Sequence, residues 1–234
     1  MPKKELEVSL ISIPDNLLDV IYTACRTCYS SDGAVEIYKN VTSDYEKKLA
    51  LVRRIIASGH YSTIEHIQVT FAINNISRAA THQLVRHRHM SFSQKSQRYV
   101  KEADFDYVIP AAIQAKPELL EKFNKHMKEV SALYSEFVEK GIKKEDARSI
   151  LPNATASSMV CSLNLRELIH LANLRLCTRA QLEIRLVVRA MTSLIIEREP
   201  WLSEHLVAKC ERLGYCDEDN SCGRMKTKQE QQNG

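Results

Sequence analysis

Arg86-His87-Arg88-His89-Met90-Ser91-Phe92-Ser93-Gln94-Lys95-Ser96-Gln97-Arg98-Tyr99 places three arginines, two imidazoles and three serines where a globular chain more often carries hydrophobic residues. Guanidinium forks match phosphate or carboxylate in a bidentate way, and the hydroxyls of Ser91, Ser93 and Ser96 can complete a cradle for an anion. By charge alone a run of Arg and His is most simply a solvated face or a nucleic-acid patch. Two features count against that reading. The preceding run from Ala79 to Val85 is interleaved with apolar residues that anchor the stretch to a core, and its serines and glutamines are too short to track a nucleic-acid backbone.

Just upstream, Ile67, Val69, Phe71 and Ile73 alternate with Gln68, Thr70, Ala72 and Asn74, a period of two that predicts a strand ended by Asn74-Asn75. Ser77 then caps a helix through Ala80, Gln83, Leu84 and Val85, so the basic stretch starts at a helix C-terminus, where the dipole favours cations. Further back, Leu6 to Ile13 reads as a strand, and Pro14-Asp15-Asn16 opens a helix through about Thr27. Ser43-Asp44-Tyr45-Glu46 caps another helix with Leu49, Val52, Ile55 and Ile56 on one face, stopped by Gly59. Beyond that stop, His60-Tyr61-Ser62-Thr63-Ile64-Glu65-His66 concentrates polar chemistry at a helix-to-strand junction. The spacing of its imidazoles is poor for a metal, and no metal site is expected.

Downstream, Tyr99 to Ile109 reads as an irregular extended stretch ending at Pro110. Pro117 to about Glu139 reads as a long amphipathic helix whose Met and aromatic residues are assigned to the core, stopped by Gly141, with a short helix from Lys144 to Ile150 before Pro152. The second dense stretch, from Asn164 to Gln181, reads as one helix running on to about Glu197, hydrophobic nearly all round. In it Arg166 and His170 share a face, as do Arg175 and Arg179, while Arg166 and Arg175 lie about half a turn out of phase. That geometry predicts two ligands, or two subunits' sites, flanking the helix.

At 234 residues and 44% hydrophobic the chain can bury one sizeable core, expected over residues 1–216, with 217–234 a polar, disordered tail. A net charge of +4 does not demand nucleic acid, and neither a membrane nor a nucleic-acid partner is expected. The start, Met1-Pro2-Lys3-Lys4-Glu5, lacks an apolar leader core, and the expected location is cytoplasmic. Seven irregularly spaced cysteines read as reduced thiols. Zinc at Cys210, Cys216 and Cys222 with His205 is disfavoured by the five-residue gaps.

Arg-His-Arg, seven residues, then Ser-x-Arg, here Arg86-His87-Arg88, 89–95 and Ser96-Gln97-Arg98, resembles the signature of the flavin-dependent thymidylate synthases. The His60-x-Ser62-x-x-Glu65-His66 element and the Asn164 to Gln181 stretch match further motifs of that family in the expected order, so the resemblance covers about residues 5 to 215. It implies an α/β (α+β) fold, with an antiparallel-containing sheet and long helices, assembled as a homotetramer with intersubunit active sites. The implied reaction is reductive methylation of dUMP to dTMP with FAD as cofactor, and NADPH and the folate 5,10-methylenetetrahydrofolate as co-substrates.

The resemblance also implies roles. His60, Ser62 and Glu65 fall on the flavin side, with Arg86, His87, Arg88 and Gln94. Asn164, Arg166 and His170 match flavin-binding positions too. Gln83, Arg86, Gln94, Ser96, Gln97 and Arg98 match nucleotide contacts, and Arg148 matches an arginine that reaches the phosphate. Arg175 matches the arginine that contacts the pyrimidine, where its cation would favour the N3-deprotonated uracil, and Ser96 would position and polarise that ring. Many relatives carry Asn-Glu where this chain has Ser93-Gln94, which leaves an amide in place of a carboxylate. Two rivals from other classes are a nucleic-acid-binding module using Arg86 to Arg98, and a structural oligomer whose arginines pair across subunits.

Overall fold

A computed structural model describes residues 5–232; Met1 to Lys4, on which most of the reading of the chain's start falls, and Asn233-Gly234 lie outside the described residues. Four strands, β1 (Glu7–Ser12), β2 (Gln68–Ser77), β3 (Met90–Gln94) and β4 (Ala156–Asn164), form one antiparallel sheet in the order β1-β2-β4-β3. The helices are α1 (Leu17–Thr27), α2 (Ala34–Lys39), α3 (Tyr45–Ala57), α4 (Arg78–Leu84), α5 (Ala111–Gln114), α6 (Pro117–Glu139), α7 (Lys144–Ala147), α8 (Leu165–Arg175), α9 (Leu182–Arg198), α10 (Lys209–Leu213) and α11 (Lys228–Gln232). Among the described residues no helix is long and apolar enough to cross a membrane.

Strand alternation puts Val69, Phe71 and Ile73 of β2 beside Met159, Cys161 and Leu163 of β4 on one face, where α1, α3, α8 and α9 bury them. The opposite face is small and polar: Thr70 and Ser162 meet at 2.8 Å, and Ser91, Ser93 and Val160 are exposed. The hydroxyl cradle expected from Ser91, Ser93 and Ser96 is therefore split. The basic stretch contains a strand, whose period of two turns Ser91 and Ser93 outward, while Ser96 lies in the turn beyond it.

Local chemistry explains the elements that were foreseen. The Asp44 side chain accepts from the Lys47 N–H at 3.0 Å to start α3. Gly59 ends it at φ +85°, with the Gly59 and His60 amides donating to Ile56 and Ile55 carbonyls, the two-bond pattern of a left-handed helix stop. Ser77 caps α4 through Ala80 N–H at 3.1 Å.

The structure departs from the sequence reading in several elements. Asn74-Asn75 do not end β2 but form a bulge, with Asn75 at φ +60°, and the strand continues to Ser77. Sequence periodicity missed α2 and the central strand β4. The Asn164 to Glu197 helix is two helices, broken over residues 176–181, so Arg179 sits in the turn and shares no helix face with Arg175. Finally, α6 lies outside the main core: Met127 and Tyr134 are buried, but the rest of its stripe is half-buried or exposed. Of residues 217–234, read as a tail, the described part carries a Cys216 to Thr227 bridge and α11.

Candidate active site

The sheet register sorts the basic stretch into two groups. Gln68, Met90 and Asn164 lie at one end of their strands, and Ser77, Gln94 and Ala156 at the other. The return across the sheet is made by α4, which leaves β2 at Ser77 and delivers His87 to the first end.

At that first end β4 passes directly into α8. Asn164 closes the strand and caps the helix, its side-chain oxygen accepting from Glu167 N–H at 2.8 Å. The Leu165 amide donates to Ile67 O at 2.9 Å, which ties the 60–66 loop to the helix start, and Glu65 forms an ion pair with Arg166. Ser62 and His66 line a cavity of about 420 Å³ with α1 residues and Tyr38. His60, Arg86, Arg88 and His170 are exposed around this end.

Behind them sits a buried relay. His87 is 7% exposed, with Nδ1 at 3.2 Å from the Glu167 carboxylate and Nε2 accepting from Arg175 Nε at 3.1 Å. The His170 ring lies edge-on at 6.1 Å. Because Arg175 can only donate, Nε2 holds the lone pair and Nδ1 the proton, which points at Glu167. Burial, partly offset by the Glu167 hydrogen bond, pushes the His87 imidazole below its ordinary value, so it is neutral at pH 7. Arg166 and Arg175 thus point to different partners, Glu65 and His87. His170, expected on the Arg166 face, lies against the His87 group as well.

Ligand atoms of His87, Glu167 and His170 fall within 4.8 Å of one another, a set a metal could use. Both ring nitrogens of His87 are already engaged by protein, however, and the arginine beside them disfavours a cation, so the set acts as a hydrogen-bond relay.

At the other end of β3 the Gln94 amide donates to Ser157 at 3.2 Å, and Ser96 accepts from the Arg98 amide at 3.3 Å. The Arg98 guanidinium grips Glu145 through Nε (3.1 Å) and Nη2 (2.9 Å), and Arg148 Nε donates to the Glu145 carbonyl at 3.1 Å. Gln97 is half-buried beside them in the turn. Burial, and next the Arg148 guanidinium, push Arg78 below its ordinary value. The opposing influence is the Glu102 carboxylate, itself paired to Lys95 at 2.8 Å. Arg78 was not singled out from sequence. The one signal available was a cation in the first turn of a helix, where the dipole disfavours it.

Gln83 lies between the two ends, its amide donating to Gln181 in the turn before α9. The cations of Arg86 to Arg98 are thus divided between the two ends of β3.

Cys177, Cys210, Cys216 and Cys222 line one cavity near the C-terminus, which His205 does not line. Among the described residues no three of these sulfurs converge within 4.8 Å.

Residues 9–201 match the family model described as thymidylate synthase complementing protein. The chain is 42% identical to a flavin-dependent thymidylate synthase of Nitratidesulfovibrio vulgaris, over 98% of this chain and 99% of that one. It is 41% identical to another from Pyrococcus abyssi, over 91% and 90%. In fold it is similar to a UMP/dUMP methylase from Streptomyces cacaoi, solved with 5-Br dUMP, with a TM-score of 0.76 at 21% identity over 88% of this chain and 98% of that chain. With the matched motifs lying at the two ends of β3 and along α8, the chain belongs to the flavin-dependent thymidylate synthases and is an enzyme of thymidylate synthesis.

Proposed function

We propose that the chain converts dUMP to dTMP with FAD as its flavin, 5,10-methylenetetrahydrofolate as the one-carbon donor and NADPH as the reductant, in a homotetramer whose sites are shared between subunits. The observation that carries this reading is Arg175. Its Nε is held by a neutral imidazole, which leaves the terminal nitrogens to face a ligand.

Each group of residues then has a task. Arg78, Arg98 and Arg148 supply the fork donors a nucleotide phosphate asks for, and Glu145 holds two of them in place until the phosphate arrives. Gln83, Gln94, Ser96 and Gln97 provide neutral donors and acceptors for sugar and base. Arg175 lays a fixed cation beside the uracil, where negative charge develops as the C5 position becomes nucleophilic.

The donors at the first end suit a flavin dinucleotide: Arg86, Arg88 and Arg166 for its phosphates, and His60, Ser62, Glu65, Asn164 and His170 for its polar edges. The flavin, when bound, supplies the hydride that completes the methyl group. No thiolate is required. Burial raises the Cys25 thiol and pushes that of Cys161 up to about 12, and Cys222, the thiol held low, is in the C-terminal cavity.

The test is direct. The purified enzyme should absorb as a flavoprotein and release tritium from 5-labelled dUMP when given NADPH and the folate. Arg175→Ala should keep its flavin but lose about 10²–10³-fold in dTMP formation, the usual cost of one such electrostatic donor. Normal turnover by Arg175→Ala would sink the assignment.

A further inference from the structure

We propose that Glu167 is a positioning residue for this reaction, holding His87 in one tautomer and one orientation so that His87 can hold Arg175. The proposal rests on the reading of Arg175 given above.

Glu167 is 7% exposed, and its backbone N–H is taken by the Asn164 cap. A carboxylate this far from water is costly unless it is paired, and the partner its side chain meets is His87. The order of donors is then forced along the whole relay. Arg175 Nε–H donates into His87 Nε2, so the ring proton is on Nδ1, and an acceptor must face it; Glu167 is that acceptor. Were the tautomer reversed, an N–H of the ring would oppose the N–H of Arg175, and the guanidinium would swing away.

The charged and titratable groups facing His87 are Glu167, His170 and Arg175, all from α8. Eight residues at about 100° each leave Glu167 and Arg175 about 80° apart on that helix, so one imidazole can span both. Arg175 is the last residue of α8, at a break without glycine or proline, and without this hold its long side chain would be free to sample solvent. Carboxylates that orient metal-binding imidazoles fix ring and tautomer in the same way, and their loss there typically costs about 10–100-fold in metal affinity or activity, the scale expected here.

The experiment uses flavin-loaded full-length enzyme with Glu167→Ala and Glu167→Gln. Glu167→Ala should keep its flavin absorbance and its KM for dUMP within about threefold, while kcat falls about 10–100-fold. Glu167→Gln retains an oxygen to accept from Nδ1–H and should recover most of that loss. Its acid limb should also move to lower pH, because without the carboxylate's charge His87 protonates less readily. In an Arg175→Ala background the Glu167→Ala change should cost little more, since both act through one group.

Wild-type kcat in Glu167→Ala overturns the proposal, as does an additive loss in the double variant. So does equal loss in both single variants with an unmoved acid limb, which would mark Glu167 as packing only. If Glu167→Ala fails to fold, the pH profile of Glu167→Gln decides. Should the wild-type enzyme make no dTMP, the functional reading falls separately, and ¹⁵N shifts of His87 still report whether Glu167 sets the tautomer.

Discussion

Arg78 shows what a single residue adds to the motif. Arg98 was legible from the Ser-x-Arg pattern and Arg148 from the resemblance, but nothing in the sequence joined Arg78 to them, because the link is tertiary: the Arg78 and Ala79 amides donate to the Thr155 and Asn153 carbonyls, a few residues past Arg148. The burial of Arg78 and the like charge of Arg148 give a two-sided prediction. Arg78→Ala should leave the ligand-free melting temperature unchanged or higher, since burial and like charge both oppose that cation. Yet it should weaken dUMP binding about 10–150-fold, the loss of a charge-assisted hydrogen bond worth about 1.5–3 kcal/mol. Melting curves with and without dUMP decide it: a ligand-induced shift equal to that of the wild type would remove Arg78 from the phosphate group. Histidines set a second residue-level expectation. Burial lowers the folded-state values of His87 and His205, and the His205 Nε2 is buried without a hydrogen-bond partner. Below about pH 6.5 the unfolded chain therefore binds protons that the folded chain resists, and stability is lost as pH falls from there toward the folded-state values. His205→Phe keeps the ring that meets Trp201 edge-on and removes the proton site, so its melting temperature should fall less between pH 7 and 5 than that of the wild type.

Elements were legible where one local rule governed them. β2 shows a strong apolar alternation, α3 has a cap at one end and a glycine at the other, and α6 carries Pro117 in its first turn with Gly141 after it. β4 obeys the same alternation, but its inward Ser157 and Cys161 hardly differ in size or polarity from its outward Ser158 and Ser162, while Val160 faces out, so the contrast that marks a strand is missing. The break between α8 and α9 has a tertiary cause. Glu183, in the first turn of α9, accepts from both the Ser77 amide and the Ser77 hydroxyl at 2.6 Å, which pins the start of α9 to the start of α4 and forces the chain to turn before it. Glu183→Ala would strand a buried amide and lose both bonds. It should destabilise the fold by at least about 2 kcal/mol, since a hydrogen bond to a charged group contributes about 1.5–3 kcal/mol. Urea unfolding measures this, and a loss under about 0.5 kcal/mol would mean that the turn is held by something else.

At the scale of the whole molecule the residues of one proposed site do not sit together in one chain. Arg175 belongs to the end of β3 that begins at Met90, while Arg98 and Arg148 belong to the end beyond Gln94, about 13 Å of strand away at about 3.3 Å per residue. Exposed large apolar residues include Leu174, the neighbour of Arg175 in the chain, at 43%, Val85 at 41%, and Leu182 and Leu186, one turn apart on α9, at 42% and 43%. Single exposed leucines are ordinary, but within the proposed homotetramer these side chains are candidates for the surface that a second copy would cover. In that assembly a second copy would carry its own arginines toward this Arg175, and the two halves seen in one chain would be completed between subunits. Leu186→Glu, at an exposed position of α9, a helix that carries none of the relay or phosphate residues, should leave the monomer folded. It should shift sedimentation toward smaller species and lower dTMP formation in proportion to the tetramer lost, with activity returning as enzyme concentration is raised. If the variant sediments as the wild type does, the contact lies elsewhere, with the half-buried stripe of α6 the next surface to test; if it dissociates yet turns over normally at all concentrations, each chain holds a complete site and the division between subunits is wrong.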